Sequence, residues 1–153
     1  MFQPLADLKD LQILVVEQDL DTRLLYTMTL ESAGAKVWAT ASVEAALAVL
    51  AHDYPDVIMT SLRFSHADGY VLMRQVRALQ AVSDHRIPAI AVSAYSQEEQ
   101  QARALAAGFQ RYLAKPVDPF ELTQTLLQVA QGRSERQLEG QGFPINGEDS
   151  SGL

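Results

Sequence analysis

The chain has 153 residues, 48% of them apolar, enough for one substantial core and a little more than a minimal α/β domain needs, with no room for two domains. A formal charge of −7, with twelve scattered Lys and Arg, excludes a predominantly electrostatic nucleic-acid binder and leaves a protein or small ligand as partner. Without cysteine there is no disulfide, thiolate metal site or thiol nucleophile, and no apolar run approaches the roughly 20 residues of a membrane span, so the expectation is a cytoplasmic protein with no membrane partner.

Residues 1–10 read as an N-terminal extension without an apolar signal core. Leu11–Val16 (LQILVV) is a short β-branched-rich run ending in acids, the pattern of a strand buried on both faces of a parallel sheet. Leu24, Leu25 and Met28 then fall at helical spacing between Asp21 and Ala33, and Gly34 supplies the stop. Lys36–Ala39 reads as a strand, Ser42 to about His52 as a helix, and Val57–Thr60 as a strand introduced by the Tyr54-Pro55-Asp56 turn. After a loop, Asp68-Gly69 opens a helix to about Leu79, and Pro88 precedes a strand over Ala89–Val92. Ser96-x-x-Glu99 is a capping box for a helix ended by Gly108, and Arg111–Leu113 is the last strand. Lys115-Pro116 breaks the chain, Asp118-Pro119-x-Glu121 starts a final helix that fades near Ala130, and 131–153 read as a flexible polar tail. Five βα units with right-handed crossovers give a doubly wound, five-stranded parallel sheet over 11–130, with its ligand crevice at the carboxyl ends of the strands.

Glu17-Gln18, Ser61, Ser93 and Lys115 stand at the carboxyl ends of the first, third, fourth and fifth strands. The order ILVVE, PDVIMTSL with Asp68-Gly69 downstream, AVSA and YLAKP resembles the receiver domain of response regulators in two-component phosphorelay signalling, a flavodoxin-like (βα)5 fold. The resemblance covers about residues 11–130, and it implies an acidic pair after the first strand and an aspartate after the third that together hold Mg²⁺. In that family the aspartate takes a phosphoryl group from a histidine kinase. Here Glu17 falls on the first acid, Gln18 on the second and Ser61 on the acceptor. Mg²⁺ wants carboxylates and waters, so with one acid of three left, Mg²⁺ binding is expected to be lost or weak and no other metal or cofactor is expected. A serine hydroxyl needs an adjacent base, for which Glu17 is the candidate, and its phosphate ester would be long-lived rather than labile. A register slip putting Asp19 in the acidic pair would reverse the strand face that Val15 and Val16 fix, so Asp19 and Asp21 are expected to cap the helix.

Lys115 matches the family's phosphoryl-contacting lysine and Pro116 its cis-proline; without phosphate the ammonium needs a counter-charge, and Glu17 is the expected partner. Ser93 and Tyr112 match the hydroxyl and aromatic that couple the site to the face of the fourth helix, fifth strand and fifth helix, and they read equally well as a strand-end serine and a packed tyrosine. Arg63, Phe64 and Ser65 depart from the family's small or apolar residues before a proline, and Arg63 is a candidate to reach over the crevice. His52, His66 and His85 have no metal-ligand spacing, Trp38 reads as packing, Tyr95 as loop or partner contact, and Gly140-x-Gly142 and Ser150-Ser151 as tail composition.

The expected function is a stand-alone pseudo-receiver, not an enzyme, acting independently of phosphorylation through a protein partner such as a histidine kinase or other signalling protein. Its expected interaction face carries Ser93, Tyr112, Gln97, Gln101 and Gln124, with dimerisation there as an option. The alternatives are a conventional phosphoacceptor with an atypical site and a small-molecule sensor using the crevice.

Overall fold

A computed structural model describes residues 4–63, 68–80, 86–94 and 98–142, the side chains of 80, 98–99 and 133–142 excepted. Its elements alternate in the order β1 (Gln12–Val16), α1 (Leu20–Ser32), β2 (Lys36–Thr40), α2 (Val43–Leu50), β3 (Val57–Ser61), α3 (Gly69–Gln80), β4 (Ala89–Ser93), α4 (Glu98–Ala106), β5 (Arg111–Ala114) and α5 (Pro119–Gly142). The five strands form one parallel sheet in the order β2-β1-β3-β4-β5. The (βα)5 reading therefore holds. The strand order reverses beside β1, which puts the crevice over the ends of β1 and β3.

Alternation along the strands divides the core into two layers. Ile13, Val15, Val57, Met59, Ile90 and Val92 meet Tyr26 and Leu30 of α1 and Leu122, Leu126 and Val129 of α5. Leu14, Val16, Ile58, Ala89 and Ala91 face Val43 and Ala46 of α2, Leu72, Met73 and Val76 of α3, and Ala104 of α4. β3 and β4 are buried along their whole length, as strands covered on both faces must be.

Three expectations are revised. In α1 the buried residues are Tyr26 and Leu30, while Leu24, Leu25 and Met28 face solvent. Helical spacing identifies a face but not which way it turns, and Tyr26 with Leu30 forms a second apolar pair that the sheet takes. The N-terminal extension is partly core: Leu8 is fully buried, its N–H donates to Ala33 O, and the Ala6 N–H donates to Thr123 Oγ1 of α5. Finally, α5 does not fade near Ala130 but runs to Gly142, because Gln, Arg, Glu and Leu sustain a helix in spite of Gly132 and Gly140. The Ser96–Glu99 capping box, Phe64, Ser65, His66, His85, Tyr95, Gln97 and the Ser150-Ser151 pair lie outside the described side chains. Gly140-x-Gly142 belongs to α5.

Two side chains fasten the helices near the crevice. Ser42 caps α2 by accepting from the Ala45 N–H, and Asp68 accepts from the Val71 N–H in the first turn of α3. Gly69 then lies so close to β3 that a Cβ there would stand 2.5 Å from Ser61 O. Gly69→Ala is expected to lower stability by about 2 kcal/mol through forced displacement of the β3–α3 join. Gly132→Ala, with open space around it, is expected to stabilise by about 0.5–1 kcal/mol. Denaturant midpoints of the two variants check both signs, and equal midpoints would refute the close approach.

Candidate functional site

Parallel pairing brings the strand ends to one edge. Val16 pairs with Thr40 and Thr60, Ser61 with Val92, and Ser93 with Ala114, so the last residue of β3 converges with the residues following β1 and β5. Three of the expected residues meet here. Glu17 Oε1 accepts from the Lys115 ammonium at 2.9 Å and also from the Ser61 hydroxyl, while Glu17 Oε2 accepts from the Asp19 N–H at 3.0 Å. Glu17 and Ser61 are buried, and the Lys115 side chain keeps 29% of its surface. The counter-charge expected for Lys115 is thus in place, and the Lys115-Pro116 peptide is cis.

Burial pushes the Glu17 carboxyl up, but the Ser61 hydroxyl, the Lys115 ammonium and the Asp19 amide together outweigh it and hold the carboxyl below its ordinary value. The carboxylate is therefore charged at neutral pH, and its two oxygens serve three donors. Its charge also acts on Tyr26, whose phenol is pushed up to about 12 chiefly by burial and further by Glu17.

The other acids nearby are differently employed. Asp19 is the N-cap of α1, where its carboxylate accepts from the Thr22 N–H and hydroxyl, an arrangement that lowers its pKa. Asp21 lies in the first helical turn. Gln18 and Arg63 are exposed, and among the described residues no group of three or more His, Asp or Glu is placed to hold a metal ion. His52 is exposed, and Trp38 packs part-buried against the α2 side of the core with Lys36 over its ring.

Of the expected coupling residues, Ser93 is buried at the end of β4 and its carbonyl accepts from the Lys115 N–H at 2.7 Å, which ties the lysine to the fourth strand. Tyr112 is half-buried on the α2–α3–α4 side of the sheet, with its hydroxyl enclosed. Gln101 is exposed on α4 and Gln124 half-buried on α5. A residue that the sequence did not single out completes the site: Arg23 Nη1 donates to the carbonyls of Glu17 (2.9 Å) and Gln18 (3.2 Å), pinning the β1–α1 turn from within α1. Its signal was available, since a cation one turn inside a helix sits beside the carbonyls that enter it.

A sequence model of the response regulator receiver domain matches residues 13–127. The chain is 39% identical over 121 residues to an uncharacterised 14.6 kDa protein of the sodA1 3′ region of Leptolyngbya boryana, covering 79% of this chain and 91% of that protein. It is 34% identical over 118 residues to the KDP operon transcriptional regulatory protein KdpE of Escherichia coli, where the match covers 77% of this chain but 50% of that protein. Among solved structures, the receiver domain of a sensor histidine kinase from Pseudomonas aeruginosa, with magnesium coordinated in its active-site cleft, is 29% identical with a TM-score of 0.71, covering 80% of this chain and 98% of that one. Chemotaxis protein CheY4 of Vibrio cholerae is 26% identical with a TM-score of 0.72, covering 78% and 98%.

Glu17→Gln is expected to cost roughly 2 kcal/mol at neutral pH, because Lys115 loses its charged acceptor. The folded-state value is depressed, so this stabilisation is present above the ordinary 4.5 and is lost as pH falls through the folded value. Denaturant midpoints of the natural chain and the variant should therefore differ at neutral pH and converge in acid. Parallel curves across that range would refute the assignment.

Proposed function

The chain belongs to the response regulator receiver domain family, and from that premise we propose that it is a pseudo-receiver, which passes its signal by protein contact without aspartyl phosphorylation. The observation that carries this reading is the Glu17 carboxylate engaged by Lys115, Ser61 and the Asp19 amide, at a strand edge where the acceptor position holds a hydroxyl. An aspartate would offer a ready nucleophile; Ser61 offers a hydroxyl bonded to the Glu17 carboxylate, which is held below its ordinary pKa and is a correspondingly weak base.

The donor set does not suit Mg²⁺. The ion needs near-octahedral oxygen ligands and is usually anchored by one or two carboxylates. Here the one buried carboxylate among the described residues already faces an ammonium, and Gln18 and Ser61 bring no charge. Binding the ion at Glu17 would mean displacing Lys115. On this reading the pair Glu17–Lys115 fixes the crevice in one state, and the partner supplies whatever differential binding moves the domain.

The test is Mg²⁺ titration followed by Trp38 fluorescence and NMR, comparing the natural chain with a Gln18→Asp/Ser61→Asp variant, together with incubation in acetyl phosphate. The natural chain is expected to show no site-specific Mg²⁺ response and no phosphate incorporation, and the variant a response in the millimolar range. Mg²⁺ binding at the crevice of the natural chain, or incorporation abolished by Ser61→Ala, would overturn the proposal in favour of a phosphoacceptor with an atypical site.

A further inference from the structure

Charge is unevenly placed along the chain. Its formal total is −7, yet residues 69–83 hold Arg74 and Arg77 and no acid, and residues 100–117 hold Arg103, Arg111 and Lys115 and no acid. The fold lays the two stretches side by side. Tyr70, Arg74 and Arg77 stand at i, i+4 and i+7 and share one side of α3. That side meets α4: the Arg103 guanidinium lies 4.3 Å over the Tyr70 ring, and Arg77 Nη2 donates to Gly108 O at 2.8 Å, just past the end of α4. Arg74 lies between these two crossings, one turn from the stack of Tyr70 and Arg103, on a groove about 10 Å long.

The cations here are not all employed. Lys115 is held by Glu17, and Arg111 is turned to Gln128 Oε1. Arg77 braces the groove: half-buried, it donates to Ile87 O and Gly108 O, and burial and the neighbouring Arg86 both push its pKa down. Arg74 and Arg103 are exposed. Among the described residues Arg74 makes no hydrogen bond or ion pair, and Arg103 meets the Tyr70 ring without using its N–H donors in a hydrogen bond. Asp68, ahead of α3, is occupied in accepting from the Val71 N–H. A guanidinium presents paired donors that match a carboxylate. Two such groups stand here a turn apart, with no carboxylate bonded to them among the described residues.

Charge and spacing decide what the groove can take. A lone small anion gains little from exposed side chains, as exposed ion pairs do, so the occupant must bring several carboxylates together. An anionic bilayer is held by clusters of about four to eight cations, and a nucleic acid is repelled by the −7 of the whole chain. A second copy would offer α1, whose Asp21 and Glu31 are about 15 Å apart along the helix and out of step with the groove. Carboxylates one turn apart on a helix, about 5–6 Å, are in step with it.

We infer that the groove between α3 and α4 is a docking site for an acidic helix of a partner protein, with Arg74 and Arg103 each pairing with a carboxylate and Arg77 holding the two helices together beneath them. The inference rests on the reading of the chain as a protein-contact module and assigns the contact to this groove rather than to the face of α4, β5 and α5. Its ion pairs are exposed to solvent, so the contact is weak and salt-sensitive.

The test titrates the full chain, at roughly 20 and 200 mM salt, with two alanine-based helical peptides of roughly 18 residues that carry either Glu or Gln at i, i+4 and i+7. The Glu peptide is expected to bind below about 1 mM at the lower salt, with NMR shifts confined to α3 and α4, and to weaken at least tenfold at the higher. The Gln peptide should bind at least tenfold more weakly than the Glu peptide. Arg74→Gln/Arg103→Gln should abolish the difference between the peptides. Arg74→Gln alone, at a side chain without contacts, should narrow that difference at least threefold with Tm unchanged, which keeps the result readable if loss of the Tyr70 stack disturbs the double variant. Absent or equal binding of the two peptides, capture by anionic vesicles or duplex DNA, or self-association lost on Arg74→Gln would overturn the inference. Shifts mapped to β5 and α5 would also overturn it while leaving the phosphorylation-independent reading intact, which only the Mg²⁺ and acetyl phosphate results can remove.

Discussion

A carboxylate buried at the end of a strand must be neutralised where it stands, because water is no longer there to do it. At Glu17 an ammonium, a hydroxyl and a backbone amide share that task, and they come from the residue after β5, the end of β3 and the entry to α1 respectively. The arrangement of the crevice follows from this demand. Lys115 is drawn across the strand ends, its N–H is tied to Ser93, and the β1–α1 turn is pinned both by the Asp19 amide and by Arg23. A carboxylate at position 61 would compete with Glu17 for the same lysine, so the serine is the electrostatically consistent choice beside Glu17.

Much of this was legible in the sequence, for identifiable reasons. The β-branched runs and the Gly and Pro punctuation located every strand within a residue or so, since strands buried on both faces admit little else. The meeting of Glu17, Ser61 and Lys115 followed from parallel pairing, which stacks strand ends whatever their side chains. The direction of α1 was not legible, because both of its faces carry apolar residues at helical spacing and only the tertiary fit selects Tyr26 and Leu30. The part played by Leu8 was hidden by its short polar surroundings, since one apolar residue shows no period.

The apolar residues exposed on α1 and the buried ion pair are two outcomes of one local sequence. The dozen residues from Glu17 to Met28 contain the carboxylate, its amide donor, the N-cap, the arginine that braces the turn, and the exposed side chains of Leu20, Leu24, Leu25 and Met28. The Glu17 carboxylate and the Arg23 guanidinium are committed to the crevice edge while four large apolar side chains face solvent, a departure from the usual pattern on a surface helix.

Helix α5 has a mechanical side as well. At 1.5 Å per residue its 24 residues run about 36 Å, against about 17 Å for a five-residue strand. Its first turn follows Lys115 by only a few residues, and among the described side chains those it packs against the sheet are Leu122, Leu126 and Val129, with Leu127 part-buried. Over the stretch from Gln131 to Gly142, about 18 Å of helix axis, a tilt of about 5° would carry the far tip sideways by roughly 1.6 Å.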